Sequence, residues 1–160
     1  MSTITPDAWP TAALDGVRRL RVLAAVLPGV HLEEREVDVP FERVWRILTN
    51  LERNVPRFDR DVASVRVTRR EKNRLRIIAR TTRGLALPFR VEIEDGFMWM
   101  QAPARAYVVG VAAHALDAVH TRYAHLEGVP HRVGELASAR TARHVNEDIE
   151  GMARLLKSEQ

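Results

Sequence analysis

Two tyrosines, a histidine and an arginine stand where strand alternation turns them toward one apolar surface. In AVHTRYAHLEG the inward set reads Val119, Thr121, Tyr123 and His125, and in ARAYVVGVAAHA one face carries Tyr107, Val109, Val111 and Ala113. The early run EREVDV adds Arg35, Val37 and Val39. Phenol, imidazole and guanidinium groups converging on an apolar concavity would orient a ligand held mainly by burial of apolar surface. Each group also has an ordinary structural role. Tyrosine commonly buries its ring and sends its hydroxyl to water; arginine buries its stem and keeps its head wet; residues at strand ends usually reach solvent.

Other chemistries are poorly supported. The chain has no cysteine, which excludes disulfides, thiolate zinc sites, iron–sulfur clusters and cysteine nucleophiles. His120, His125 and His131 lack the spacing of a helical ligand pair, and His31, His114 and His144 are scattered, so neither a metal site nor a cofactor is expected. No glycine-rich phosphate loop and no Gly-x-Ser-x-Gly elbow is present. The net charge is +4, and bases alternate with acids, as in Arg90, Glu92 and Glu94. The densest basic stretch, Arg66 to Arg83, reads as the solvated edge of a hairpin rather than a continuous basic footprint, which argues against a nucleic-acid partner.

At 160 residues the chain fits one main domain with a true core. Residues 1–29 read as an N-terminal extension with one helix at about 11 to 27, striped by Leu14, Val17, Leu20, Val22, Leu23 and Leu27 and stopped by Pro28-Gly29. Arg18, Arg19 and Arg21 precede an apolar run of signal-peptide length, yet that run starts late and lacks the usual cleavage pattern, so the cytoplasm is the expected compartment. No stretch approaches transmembrane length.

From residue 30 onward EREVDV meets Pro40 and passes into an amphipathic helix, FERVWRILTN, whose stripe Phe41, Val44, Trp45 and Leu48 is expected to be buried, with Trp45 as scaffold. A long last helix, roughly residues 135 to 157, carries Val145, Ile149, Met152 and Leu156 on one stripe and Glu147, Asp148, Glu150 and Arg154 mostly off it. Between the two lie roughly six strand-like runs and no other convincing helix. Asp95-Gly96 is a strong two-residue hairpin signal. It pairs Glu94 with Phe97, Ile93 with Met98, Glu92 with Trp99 and Val91 with Met100. Leu87, Phe89, Val91, Ile93, Met98 and Met100 then share the apolar face, and Trp99 lies over charged neighbours on the other. Upstream, Ala63, Val65 and Val67 alternate with polar residues, as do Leu75, Ile77, Ala79 and Thr81. A meander with one wet face needs a cover for its apolar face, and the two helices are the candidates.

The segment EVDVPFERVWRILTNLERNVPRF resembles the strand, first helix and second helix of the START-like (SRPBCC) superfamily, in its polyketide cyclase/dehydrase and lipid-transport branch. VASVRV, HTRYAHLE and the closing HVNEDIEGMARLL extend the resemblance over roughly residues 30 to 158. It implies an α+β helix-grip fold, a seven-stranded antiparallel curved sheet wrapped around a long C-terminal helix, making residues 30–160 a ligand-binding domain. It also implies a hydrophobic cavity between sheet and last helix; the extra N-terminal helix departs from the minimal pattern and either covers the sheet or lies across the cavity mouth. Two functions are then expected as alternatives. One is a carrier or sensor of a lipid- or polyketide-like small molecule, contacted by Arg35, Ile77, Ala79, Phe89, Val91, Met98, Met100, Val109 and Thr121. The other is a cofactor-free cyclase, aromatase or dehydratase in which Tyr107, Tyr123 and His125 assist enolisation and water loss.

Overall fold

Asp15 opens the first helix by accepting a hydrogen bond from the Arg18 amide at 2.9 Å, and α1 runs from Gly16 to Val26 before Pro28-Gly29 ends it. The computed structural model describes residues 13–159, so the first two positions of the expected helix lie outside the described residues. Seven strands follow: β1 (Val30–Val37), β2 (Val62–Glu71), β3 (Arg74–Thr81), β4 (Ala86–Glu94), β5 (Phe97–Gln101), β6 (Val108–Ala115) and β7 (Thr121–Gly128). They form one antiparallel sheet in the order β1-β7-β6-β5-β4-β3-β2. Helices α2 (Phe41–Leu48) and α3 (Leu51–Phe58) bridge β1 to β2, and α4 (Glu135–Ser158) closes the described chain.

The hairpin register is as the Asp95-Gly96 signal requires: Glu94 pairs with Phe97, Ile93 with Met98, Glu92 with Trp99 and Val91 with Met100. Gly96 has φ +71°, a left-handed conformation that a side chain would strain. On β2 the simple alternation fails. Register shifts between Val62 and Ser64, and again between Val67 and Arg69, leave Ala63 as an exposed extra residue and turn Val62 and Val65 inward. Bulges of this kind suit an edge strand, because they twist it away from edge-to-edge pairing. The basic residues of this hairpin are exposed, and Arg74 on β3 faces Glu92 of β4 at 3.3 Å.

The main core lies between the inner face of the sheet and α2, α3 and α4. It includes Val44, Leu48, Leu75, Ile77, Phe89, Met98, Val111, Tyr123, Ile149 and Leu156. All four stripe residues of α4, Val145, Ile149, Met152 and Leu156, are fully buried. Glycine at 151 lets α4 approach α3 closely: a Cβ there would stand 2.6 Å from the Phe58 carbonyl oxygen. Three expectations are corrected here. A second helix, α3, does exist between β1 and β2, with Pro56 inside it, as the resemblance implies and the periodicity missed. Trp45 is only half-buried, stacked on Phe41 with ring centroids 6.4 Å apart, while Ile47 takes the buried position beside Val44 and Leu48. Asp148 is buried with the stripe rather than off it.

A second, smaller core covers the outer face. Val17 and Leu20 of α1 pack on Phe97, Val108, Ala112, Ala124 and Leu126, with Leu23 and Trp99 at the margin. Trp99 lies on this outer face opposite Glu92, as the register requires, and also meets the apolar side of α1. The extra helix covers the back of the sheet rather than the cavity mouth, and β6 and β7 are buried on both faces, which explains the nearly continuous apolar run of β6.

Candidate functional site

The inner alternation of β7 continues two residues beyond His125 and places Glu127 beside it, while α4 offers His144 and Asp148 one helical turn apart on the side facing β7. These four side chains meet. His125 Nε2 lies 2.9 Å from Glu127 Oε2 and 3.4 Å from Asp148 Oδ2. His144 Nε2 lies 3.3 Å from Glu127 Oε1 and 3.5 Å from Asp148 Oδ2. Tyr107, immediately before β6, donates its hydroxyl to Glu127 Oε1. Asp59, at the C-terminal end of α3, joins the same group of ligand-type atoms. His125, Glu127 and Asp148 are buried, and the His144 side chain keeps 22 % exposure.

Burial and mutual contact set the charges. Burial pushes the Glu127 carboxyl upward, but the His125 and His144 imidazoles outweigh it and hold that carboxyl well below the usual range. Burial alone would discharge His125; Asp148 and Glu127 instead raise it to about 9. His144 rises to about 10, first through its contact with Glu127. Burial lifts Asp148, and burial with the neighbouring Asp148 and Glu127 charges lifts Asp59 to about 7. The Tyr107 phenol is pushed up by burial and by Glu127. At neutral pH the cluster is thus built around two imidazolium ions and the Glu127 carboxylate, with the other carboxyls resisting ionisation.

The cluster forms one end of a cavity of about 220 Å³. The remaining walls are apolar: Val65, Ile77, Ala79, Phe89, Met98, Met100, Val109 and Val111 from the sheet, and Leu51, Val55 and Phe58 from α3. Leu87 and Asp61 are its most exposed lining residues and mark the mouth. A larger depression of about 430 Å³, which includes Arg76, Arg90 and Pro103 in its lining, has none of the buried acid–base groups. The chemistry therefore belongs to the smaller cavity.

No protein-family model matches the sequence, and no curated protein matches it. Solved structures do. TTHA0849 from Thermus thermophilus is 17% identical with a TM-score of 0.67, over 82% of this chain and 99% of that one. A START superfamily protein from Mycobacterium smegmatis is 14% identical with a TM-score of 0.56, over 80% and 99%. The Zhui aromatase/cyclase from Streptomyces sp. R1128 is 13% identical with a TM-score of 0.58, over 80% and 94%. The fold is START-like, the helix-grip fold. At these identities the likeness concerns architecture alone.

Within this cavity the structure gathers Tyr107, His125, Ile77, Ala79, Phe89, Met98, Met100 and Val109 of the residues singled out in the sequence. Four others lie elsewhere. Arg35 spans from β1 to α4, where its Nη2 meets Asn146 Oδ1 at 3.0 Å and Glu150 Oε1 at 3.1 Å, so it fastens strand to helix. Tyr123 is fully buried under α4 with its hydroxyl 3.5 Å from the Ile149 carbonyl. Thr121 donates to the Val39 carbonyl at 2.7 Å. Val91 packs into the core. All four point inward as the alternation requires, but α4 and the core fill the space over them. Asp59, Glu127, His144 and Asp148 were missed. Extending the β7 alternation reaches Glu127, and the four-residue step from His144 to Asp148 is visible on the last helix, but only the tertiary fold brings them together.

Among the described residues no helix is long and apolar enough to cross a membrane.

Proposed function

We propose that the protein binds a small hydrophobic molecule in this cavity, with a polar head directed at Tyr107, Glu127 and His144. The observation that carries the reading is the division of the cavity into apolar walls and a single buried polar end. Drug-sized ligands fill pockets of roughly 300–1,000 Å³, so a volume of about 220 Å³ favours something smaller, a single ring or a short chain. Burying about 200 Å² of apolar ligand surface contributes about 5 kcal/mol, and the polar end fixes orientation. Ala79→Trp fills the cavity from β3. It is expected to abolish uptake of a small hydrophobic fluorescent dye while the circular dichroism spectrum stays that of the native fold. Undiminished uptake by this variant overturns the reading.

A second reading, acid–base catalysis on the bound molecule, is favoured by the Tyr107 hydroxyl, Glu127 and His144 all facing an apolar space. The chemistry fitting such a set is dehydration of a β-hydroxy carbonyl compound. A base takes the proton α to the carbonyl, the carbon–carbon double bond forms as the carbon–oxygen bond breaks, and an acid delivers a proton so that the hydroxyl leaves as water. The likeness of the fold to that of the Zhui aromatase/cyclase supports testing it. Tyr107→Phe separates the readings. A hydroxyl that only orients the ligand changes binding by about 1 kcal/mol, whereas a general acid takes roughly 10²–10⁴ of the rate with it. Dye binding close to wild type together with no turnover of a small β-hydroxy ketone by the wild-type protein would leave the binding role and remove the enzyme.

A further inference from the structure

We propose that the polar end of the cavity is a binding site for a divalent transition-metal ion, held by Asp59, Glu127, His144 and Asp148. Three separate elements supply these groups, the end of α3, strand β7 and helix α4, and one ligand atom from each lies within 4.8 Å of the others. The closest separations have the size that coordination demands. His144 Nε2 stands 3.3 Å from Glu127 Oε1 and 3.5 Å from Asp148 Oδ2. Two donors each about 2.1 Å from a tetrahedral ion are about 3.4 Å apart.

An independent observation points into the same space. Asp148 Oδ2, on a residue only 2 % exposed, makes no hydrogen bond and is faced instead by the His125 and His144 imidazoles at 3.4 and 3.5 Å. A buried carboxylate oxygen with charged neighbours but no hydrogen bond is incompletely satisfied, and a metal cation that displaces the His144 proton would coordinate it directly. The surroundings also resemble an outer ligand shell. His125 Nε2 holds the other Glu127 oxygen at 2.9 Å, and the Tyr107 hydroxyl is donated to Glu127, so this carboxylate is oriented by two further groups. His144 reaches the cavity mouth, where Asp61 Oδ2 lies 3.8 Å from its Nδ1, and this gives an ion a path in. One imidazole and three carboxylates, with no thiolate, select zinc, ferrous iron or manganese over copper(I). The imidazole and the small number of oxygens disfavour calcium, which takes six to eight oxygen ligands at about 2.3–2.6 Å.

Metal binding is measured without any organic ligand and dye uptake is measured in chelator, so the two proposals fail separately. Chelator-treated protein is titrated calorimetrically with Zn²⁺ and, in a separate run, with Mn²⁺. One ion per chain is expected from at least one of them, with a rise in Tm. Asp148→Asn and His144→Gln should each weaken it at least tenfold. His120→Gln, which alters the exposed pair His120 and Asp117, should leave it unchanged. Co²⁺ added to the wild-type protein should give the intense visible bands of a tetrahedral site, a readout that needs no variant to fold. Absence of stoichiometric binding, loss of binding in His120→Gln, or affinity unchanged in both cluster variants overturns the proposal.

Discussion

Replacing His125 with leucine is expected to destabilise the protein by about 3–5 kcal/mol, the range found when one partner of a buried ion pair is removed. The imidazole is 2 % exposed and lies 2.9 Å from Glu127 Oε2 and 3.4 Å from Asp148 Oδ2. Leucine fills similar space and restores no charge, so Glu127 keeps its desolvation cost and loses its nearest cation, with only the more exposed His144 remaining. Urea unfolding in chelator measures the effect. The double variant His125→Leu/Glu127→Gln should recover a large part of the loss, because the stranded charge leaves with its partner. A single-variant loss below about 1 kcal/mol would mean that the cluster relaxes by taking up protons and that His125 is not its keystone.

Ile149→Ala is expected to cost about 2–5 kcal/mol, since truncation removes transfer energy and leaves a cavity that a rigid site cannot close. Ile149 is completely buried on α4, beneath the sheet and beside the Tyr123 hydroxyl. The urea midpoint should fall with little change in slope, the sign of lost stability without altered compactness. A change below about 0.5 kcal/mol, typical of surface positions, would place this face of the helix outside the core.

Much of the architecture is legible because it follows from local rules. Asp95-Gly96 fixes a turn of defined twist, that turn fixes a register, and the register sorts Met98 and Met100 from Trp99. The stripe Val145, Ile149, Met152 and Leu156 likewise specifies which side of the last helix meets the sheet. The polar cluster obeys no such rule. Glu127 and Asp148 are twenty-one positions apart, and their meeting depends on how α4 crosses β7. Alternation told which way Arg35, Thr121 and Tyr123 point, but not that α4 would lie over them. Ala63 shows the opposite failure: a bulge reverses the pleat, so the alternating pattern places on the inner face a residue that is exposed. Helix α3 escaped periodicity because eight residues with Pro56 among them give too short a pattern to separate from a loop.

The sheet order sets the sequence of events in folding. β1 pairs along its whole length with β7, Val30 opposite Gly128 and Val37 opposite Thr121. The strand made first waits for the strand made last. During synthesis the meander from β2 to β6 can assemble by nearest-neighbour hairpins, while β1 stays without its pairing partner until about ninety further residues have emerged. Closing so large a loop is slow, because its entropy is lost before the pairing returns anything. In that interval β1 and β6 each present an open edge to other chains. The unbroken charged run Glu33, Glu34, Arg35 and Glu36 along β1 supplies charge where an uncharged open strand would invite aggregation.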